Sequence, residues 1–432
     1  MRDHLVPQVL TRMSMVPHSM KGYDARRNTL CLAGVLLLTS GVLSAQDLMP
    51  AASPGGMVRL FTTDAAILES QEARKDLPCT VTPSKPVLGF DLKFHTGYEV
   101  NVPLKELAGS ENLLTMIFRV SPDGHPDDPI YFSQRVGVPA IEDDEHGPAY
   151  LQGEFNVGEG KYHVDWLMRD RSERVCSFHW DSEAVLPAKD KQMSLDITPS
   201  TILPSDTEPF KQEPPIAREQ HDKPLNVKVM INFAPQDSNS ATLQPLDTNA
   251  LVSILRSIAR EPRIGKFSIV AYNMQEQRVI YRQDNSSTID FPAIGKSLGS
   301  LNLGTVDLKR LTQKHGDTEF LSSLITTEIK DSKDQPDAVI FAGPKIMLEN
   351  GLSADTLKQL GEIKFPVFYM NYNLNPQANP WKDAIGNCVK YLKGVEFTIS
   401  RPRDLFFAWT DIMGRIVKLK FARTGIGNGA SQ

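Results

Sequence analysis

The sequence has no excess of positive charge. Its 47 lysine and arginine residues are outnumbered by 52 aspartate and glutamate residues, so the formal net charge is -5 at pH 7. Nucleic acids and anionic lipid surfaces attract proteins through net or clustered positive charge. The composition therefore does not predict nucleic acid as a partner, and any basic binding site would have to be local.

Long apolar runs are scarce, and the longest lies near the start of the chain. The run from Leu30 to Leu43 follows two arginines and precedes Ser44 and Ala45. This order of charged, apolar and small residues predicts a signal peptide over residues 1–45. The run has about 14 residues, fewer than the ~20 that span a bilayer, so cleavage is favoured over an uncleaved anchor. The sequence thus predicts a secreted or periplasmic protein with no stable membrane span after cleavage.

Cysteine is rare, with four residues in the chain. Cys31 is lost with the predicted signal peptide, which leaves Cys79, Cys176 and Cys388 in an oxidising compartment. An odd number of cysteines there predicts one free thiol or an intermolecular link. We predict a Cys79–Cys176 disulfide, because these two residues lie within or beside the first folded domain. The alternative is that Cys176 is a buried free thiol.

The first part of the remaining sequence has the pattern of a β protein. Residues 46–85 give mixed signals, including a possible short helix from Ala65 to Lys75, and are left unassigned. Residues 86–197 contain short alternating runs, such as 87–94 and 113–120, separated by clusters of turn residues. Many short strands without a helical period between them predict an antiparallel, immunoglobulin-like β-sandwich.

The second part has a different pattern. Residues 198–224 are rich in proline and charge and poor in apolar periodicity, which predicts an inter-domain linker. Residues 225–422 alternate buried-strand runs with helical periods, and residues 423–432 form a short tail. Alternation of strands and helices predicts a doubly wound α/β domain with a largely parallel sheet. The predicted fold class is therefore multidomain, a β-sandwich followed by an α/β domain.

A β-hairpin is predicted between residues 161 and 180. A turn centred on Arg171 would pair Trp166 with Cys176 on a buried face. On the other face the same register sets His163 opposite His179 and Asp165 opposite Ser177. Two imidazoles and a carboxylate make His163, Asp165 and His179 candidate ligands for zinc or copper. The alternative is a polar sheet face on which two exposed histidines lie side by side.

The order of elements after residue 225 resembles that of a von Willebrand factor A domain. A strand, a helix, a strand pair, a Gly-Thr before a helix and an apolar strand that ends in glycine follow in that family's order. Residues 225–422 carry the resemblance, which is one of order more than of sequence. The first domain resembles a secreted bacterial β-sandwich family, which implies nothing about function.

The resemblance also implies that this A-type domain has lost its metal site. Metal-binding members of the family carry an Asp-x-Ser-x-Ser run, a threonine and a second aspartate, which give oxygen ligands to a hard cation. The matching positions here are Asn232, Ala234 and Gln236 for the run, Thr305 for the threonine and Ala342 for the second aspartate. Both carboxylates and both serine hydroxyls are absent. The sequence therefore predicts a metal-independent domain without a cofactor.

Enzymatic motifs are weak. Gly295 to Gly299 fit the Gly-x-Ser-x-Gly pattern around Ser297, but no good strand precedes them, as a nucleophile elbow requires. Asp290 to Ser297 resemble a phosphate-binding loop, but Asp290 replaces the first glycine of that loop. Two acidic turns, at 121–129 and 141–148, would make a calcium site if they met at one end of the sandwich, although solvated turn charges are the simpler explanation.

The predicted function is that of a non-enzymatic binding protein. Its partner would be another protein of the cell envelope or extracellular space, contacted by the loops at the carboxyl ends of the α/β strands. One alternative is a cell-envelope hydrolase that uses Ser297. Another is a structural assembly component that is linked between chains through Cys388.

Overall fold

The structure, a computed structural model, describes residues 47–49, 60–206, 208–219, 224–237, 240–303, 315–330, 335–348, 352–377, 380 and 383–427. The predicted signal peptide lies outside these residues. The chain divides into two compact units, residues 1–207 and 208–432, so the multidomain prediction is confirmed. Within the described ranges, no helix is both long enough and apolar enough to cross a bilayer.

The first unit is built mainly from antiparallel strands. In chain order its main elements are β1 (Asp47–Leu48), α1 (Thr62–Ser70), β2 (Thr80–Leu88), β3 (Phe94–Pro103), β4 (Asn112–Pro122), β5 (Ile130–Val138), β6 (Pro148–Val157), β7 (Gly160–Arg169), β8 (Val175–Ala184) and β9 (Ile202–Pro204). They form one sheet of order β1-β5-β4-β7-β8 and another of order β2-β3-β6-β9. The predicted antiparallel β architecture of this region is therefore confirmed.

The two sheets of the first unit share one hydrophobic core. Alternate residues of each strand point inward, so Tyr98 from one sheet meets Phe118 and Trp166 from the other, with each pair of ring centroids 5.4 Å apart. Phe118 also stacks on Phe132 at 5.0 Å, and Phe155 closes the group from the opposite sheet at 5.7 Å. Burial of this aromatic area supplies a large share of the folding free energy.

A disulfide joins the two sheets. Cys79 directly precedes β2, Cys176 lies in β8, and their Cα atoms are 6.2 Å apart. The predicted pairing is therefore confirmed. Because the bond closes a loop between residues 97 positions apart, it removes much conformational freedom from the unfolded chain.

The open edge of β8 is covered by the chain between α1 and β2. In this segment, which we call the 72–77 strip, the carbonyl of Arg74 accepts the N–H of Ser177 (2.9 Å) and the N–H of Leu77 donates to Val175 (3.0 Å). The helix before it, α1, packs Ile67 and Leu68 on the outer face of the same sheet. Residues 60–85, which lie in the segment that sequence patterns left unassigned, thus belong to the first unit.

The second unit has a mixed sheet between two layers of helices. Its main described elements are β10 (Leu225–Asn232), α2 (Pro245–Ala259), β11 (Ile264–Asn273), β12 (Arg278–Ser286), α3 (Phe291–Leu298), α4 (Gly316–Ile325), β13 (Ala338–Pro344), α5 (Ala354–Gln359), β14 (Val367–Tyr372), α6 (Ala384–Tyr391), β15 (Val395–Ile399) and α7 (Pro402–Gly427). A π-helical segment, Thr326–Lys330, extends α4. The sheet order is β12-β11-β10-β13-β14-β15.

All neighbours in this sheet are parallel except β11 and β12. The order reverses direction at β10, since the chain moves outward first through β11 and β12 and later through β13, β14 and β15. The carboxyl ends of β10 and β13 therefore flank the topological switch point, where loops diverge to opposite faces of the sheet and leave a crevice.

The proline-rich segment predicted as a linker, 198–224, contains ordered contacts. Its β9 pairs with β6 in the first unit. Further along, the carboxylate of Glu213 binds Arg256 (2.9 Å) and Arg260 (2.6 Å) of α2, and Phe210 packs near Phe233. Most of this segment is therefore attached to one unit or the other, with the boundary at residue 207.

The structure divides two segments differently from their sequence patterns. Residues 87–94 form the end of β2, a turn and the start of β3, since the N–H of Gly89 donates to the carbonyl of Lys93 (2.8 Å) and Leu92 has a positive φ of 60°. The predicted domain end at 422 also falls inside α7. Leu405, Ile412 and Ile416 are buried at helical spacing on that helix, a period that the surrounding basic and aromatic residues obscured.

Candidate functional site at the carboxyl edge of the parallel sheet

A buried amide stands where the resemblance placed the first metal ligand. Asn232 is the last residue of β10 and is 0% exposed. Its Oδ1 accepts the N–H of Met274 (3.2 Å), which fixes the orientation of the amide. The Nδ2 donor is buried and has no hydrogen-bond partner among the described residues. An amide supplies no negative charge for a cation.

A second buried amide lies on the same face, two strands away. Asn371 of β14 donates from Nδ2 to Glu396 of β15 (2.8 Å), and its Oδ1 is buried with no partner in the described part of the chain. Gly343 of β13 is its register partner and lies between the two amides. A Cβ at Gly343 would come within 2.8 Å of the Asn232 Cβ, and its φ is +140°. Glycine thus permits this close approach.

The other positions matched to the metal site do not complete it. Ala234 is buried, and Gln236 donates from Nε2 to Asn373 Oδ1 (3.4 Å). Ala342 pairs with Ile231, so alternation along the strands puts it on the sheet face opposite Asn232. Thr305 lies outside the described residues. The described residues at the positions matched to metal ligands are therefore neutral or apolar, and their side chains do not point to a common site.

Asp247 is a buried carboxylate at this edge. It lies in the first turn of α2, and its pKa is raised by burial, although the N–H groups of Gln236 and Gln244 and the hydroxyl of Tyr372 donate to it. These bonds tie the loop after β10 to the end of β14. The carboxylate of Asp247 thereby fixes the position of the loop after β10.

Asp383 holds the loop after β13 in a similar way. It is 1% exposed and accepts from the N–H groups of Ile346 (3.0 Å) and Gly386 (2.8 Å) and from the hydroxyl of Tyr369 (2.9 Å). Burial raises its pKa in spite of these donors, and the charge of Glu396 raises it further. The bond from Gly386 is the N-cap bond of α6 and satisfies a free helical N–H.

The polar side chains that hold this edge together are buried, and most of their donors and acceptors already have hydrogen-bond partners within the edge. No group of three or more His, Cys, Asp or Glu side chains in the described ranges has an arrangement that would hold a metal ion. The chemistry available is hydrogen bonding by amides, backbone N–H groups and the carboxylates of Asp247 and Asp383. Above it lie the loops after β10, β13 and β14, on which Met347 is 62% exposed.

The hairpin in the first unit is present, but its predicted register is wrong. Trp166 pairs with Phe178 rather than with Cys176, which pairs with Met168, and Asp165 rather than His163 lies opposite His179. The predicted turn centred on Arg171 is too short, because the hairpin loop covers residues 170–174. The carboxylate of Asp170 accepts the N–H of Arg174 (2.9 Å), which closes the longer loop.

The candidate ligands of the hairpin form an ion-pair network instead. His163 and His179 are on the same face with ring centroids 6.2 Å apart. His163 Nδ1, however, bonds Asp181 (2.7 Å) and its Nε2 lies 3.2 Å from Asp165, which also accepts from Arg119 Nε (2.7 Å). We call this set the hairpin network. Burial lowers the pKa of His163, but Asp181 and Asp165 outweigh it and the net shift is upward.

The hydrolase alternative requires an exposed Ser297 hydroxyl, and the assembly alternative requires an accessible Cys388 thiol. Ser297 lies inside α3, where its Oγ donates to the carbonyl of Ala293 (2.8 Å) rather than projecting from a strand-to-helix turn. Cys388 is a free thiol that is 0% exposed, and burial raises its pKa to about 12. An elbow nucleophile and an accessible interchain thiol are therefore not present at these residues.

The two acidic turns are also separated. One connects β4 to β5 and the other connects β5 to β6, so the nine residues of β5 lie between them. At ~3.3 Å per residue, that strand holds the turns roughly 30 Å apart at opposite ends. The hypothesis of a calcium site shared by the two turns is therefore wrong, because the turns lie at opposite ends of β5.

Comparison with known proteins gives no matching family model and no matching curated protein. Among solved structures, the chain is similar to the PilB minor pilin from Streptococcus sanguinis, with 8% identity, a TM-score of 0.24, and coverage of 70% of this chain and 87% of the pilin. It is also similar to a calcium-binding mutant of Bacteroides uniformis beta-glucuronidase 2, with 10% identity, a TM-score of 0.17, and coverage of 73% of this chain and 38% of that chain.

A third similar structure is a glycosyl hydrolase family 2 member from Bacteroides cellulosilyticus, with 10% identity, a TM-score of 0.17, and coverage of 75% of this chain and 39% of the hydrolase. The chain thus spans less than half the length of both hydrolases. Similarities at these scores establish no family and carry no argument about function.

Proposed function

We propose that this chain is an exported binding protein in which a β-sandwich is tethered to a metal-independent A-type domain that contacts another protein. The observation that carries the proposal is that neutral or apolar residues occupy the described positions matched to metal ligands, at the carboxyl edge of the second unit. Asn232 and Gly343 flank the switch point of the sheet, and the described positions matched to metal ligands are amides and alanines.

The sheet order supports the A-type assignment. The order β12-β11-β10-β13-β14-β15, with β12 antiparallel, agrees with the strand pair and later parallel strands on which the resemblance rests. In open α/β sheets, ligands bind in the crevice outside the carboxyl ends of the strands. Asp247 and Asp383 hold the loops at this edge, which lowers the entropic cost of presenting them to a partner.

The disulfide supports export. Cys79 and Cys176 are bonded in the first unit, and such bonds persist in oxidising compartments. The predicted signal peptide would direct the chain there. Mass spectrometry of the mature protein is expected to find an N-terminus near Gln46, whereas an intact Met1 on a cytoplasmic protein would contradict export.

A photocrosslinking experiment tests the binding surface. A photoreactive amino acid replaces Met347 on the carboxyl-edge loop, and in a control variant it replaces the exposed Lys266 near the amino end of β11. After illumination in the native envelope fraction, we expect a discrete protein adduct through position 347 and not through position 266. Equal adducts at both positions, or none, would count against the proposed surface.

Metal independence has its own measurement. Titration calorimetry of the full mature chain with Mg²⁺ or Mn²⁺ is expected to show no binding at millimolar concentrations, because amides do not offset the dehydration of a hard cation. The crosslinking yield through position 347 should be equal in EDTA and in millimolar Mg²⁺. A loss of the adduct in EDTA would overturn the metal-independent mechanism and leave the surface itself standing.

A further inference from the structure

The sheet of the second unit ends in an open strand. Among the described strands, β15 pairs only with β14. The carbonyl of Ile399 accepts the N–H of Asn373 (3.0 Å), so the backbone groups of Ile399 point toward β14. Because these groups alternate in direction along a strand, those of Glu396 and Thr398 point toward the open edge. An unpaired edge of this kind is a template for another strand.

A groove runs beside this edge. It has a volume of about 440 Å³ and lies between β15 and the first turns of α7. Phe397 and Thr398 line it on the strand side, and Arg403, Asp404, Phe407, Ala408 and Asp411 line it on the helix side. We call it the β15–α7 groove. Its length along α7 covers two helical turns, which matches a short extended segment.

The groove has an apolar centre and charged ends. Phe397 and Phe407 are half-buried and leave part of their rings open to the groove. Arg403 lies near the start of α7, with its guanidinium 5.7 Å from the Phe407 ring, and Asp411 lies two turns further along. The Asp411–Arg415 ion pair is about half exposed on both sides, so it holds Asp411 only weakly.

We propose that the β15–α7 groove binds an extended peptide segment of a partner protein by strand addition to β15. The peptide backbone bonds the outward N–H and C=O groups of Glu396 and Thr398. A large apolar side chain fills the space between Phe397 and Phe407, with an acidic residue toward Arg403 and a basic residue toward Asp411. Main-chain bonds give affinity in this mode of recognition, and the pocket for alternate side chains gives selectivity.

The groove is lined by β15 and α7, and neither Met347 nor the described residues of the loops after β10, β13 and β14 line it. Its test therefore does not depend on the crosslinking result for Met347. Strand addition also makes a specific demand on the backbone of both partners, because alternate amide groups take part and the intervening ones do not. That alternation distinguishes it from simple burial of an apolar side chain.

The experiment begins with random dodecapeptides displayed on phage and selected on the full mature protein. A selected peptide, labelled with fluorescein, is then titrated with wild type, Thr398→Pro and Thr398→Val by fluorescence anisotropy. Proline removes the outward N–H of residue 398 without removing a bond to β14, which edge strands tolerate. Valine keeps that N–H. We expect Thr398→Pro to weaken binding at least ~10-fold and Thr398→Val to bind like wild type.

A scan of the peptide makes the test independent of how the protein variant folds. Each backbone nitrogen of the peptide is methylated in turn, and we expect large losses of affinity at every second position only. Failure to select any peptide, binding that Thr398→Pro leaves unchanged, or losses without alternation would each overturn the proposal. A wild-type dimer in sedimentation velocity that Thr398→Pro dissociates would show that a second copy of β15 occupies the edge, which also contradicts a partner peptide.

Discussion

Two sites, one in each unit, accommodate polar groups in different ways. In the first unit, the hairpin network of Arg119, Asp165, His163 and Asp181 extends from the buried Asp165, 3% exposed, to the surface, where His163 is 30% and Asp181 is 89% exposed. In the second unit, the polar side chains that hold the carboxyl edge are buried, among them the amide of Asn232 and the carboxylate of Asp383, whose pKa is raised by burial. Exposed charges are screened by salt, whereas removal of one partner of a buried hydrogen bond leaves the other group unsatisfied and costs more stability.

Removal of the disulfide is expected to have the largest effect, and to affect the first unit alone. The double variant Cys79→Ala, Cys176→Ala should lose ~2–5 kcal/mol of unfolding free energy, because the unfolded chain regains the freedom of a long loop. Hydrogen exchange measured by mass spectrometry should show faster exchange in β3 and β6 and unchanged exchange in β13 and β14. Faster exchange in the second unit as well would show that the units do not unfold independently.

Asp383→Ala is expected to destabilise the second unit by ~2–4 kcal/mol. The change leaves the hydroxyl of Tyr369 and the N–H groups of Ile346 and Gly386 without their acceptor, and it removes a helix cap. Asp383→Asn keeps an acceptor oxygen and should cost less.

Asp355→Ala serves as the control for this change, because Asp355 is 86% exposed in the first turn of α5. Its effect should stay within ~0.5 kcal/mol. Chemical denaturation of the full chain measures all three variants. An Asp383→Ala protein as stable as the Asp355→Ala control would refute the view that buried acceptors hold the edge together.

The smallest effect is expected at the hairpin network, and it should depend on pH. The folded pKa of His163 is raised, so its contribution is fully present below the unfolded pKa of about 6.5 and is lost as the pH rises through the folded value. The unfolding free energy of wild type minus that of His163→Ala, measured from pH 5 to 9, should be up to ~1 kcal/mol at acidic pH and then decline.

Asp181→Asn sharpens this measurement. It removes the partner at Nδ1, so the decline with pH should become shallower while the fold is retained. A difference between wild type and His163→Ala that grows with pH would show that burial dominates the environment of this histidine. In that case burial, rather than ion pairing, would govern the polar groups of the hairpin network as it does those of the carboxyl edge.

Sequence patterns predicted most of the elements, because strands and helices leave periodicities of two and 3.6 residues in apolar positions. The alternation of buried-strand runs and helical periods noted after residue 225 corresponds to the alternating strands and helices of the second unit. The hairpin register was displaced by two residues, because the loop length depends on a local choice in which Asp170 bonds Arg174 and Glu173 takes a positive φ of 62°. Composition does not specify that choice.

The candidate site was predictable only in part. Asn232 was found because it ends an apolar strand at a position that a known family reserves for a ligand. Asn371, Asp247 and Asp383 were missed, since each lies far away in sequence and gains its role only when parallel strands bring their carboxyl ends together. A polar residue at the end of a buried strand, such as Asn371 in β14, or directly after it, such as Asn373, is the signal that would have identified this edge.

A recombinant fragment of the first unit needs the 72–77 strip, because this segment covers the edge of β8. A recombinant first domain that begins at residue 86, the boundary suggested by the strand pattern, would lack α1, most of β2, Cys79 and the segment that pairs with β8. The bare edge of β8 would then be free to recruit strands from other molecules, and Cys176 would be left as an unpaired thiol beside it. Such a fragment would aggregate and form intermolecular disulfides. A fragment that starts before Thr62 would keep the 72–77 strip over the edge of β8 and the Cys79–Cys176 disulfide.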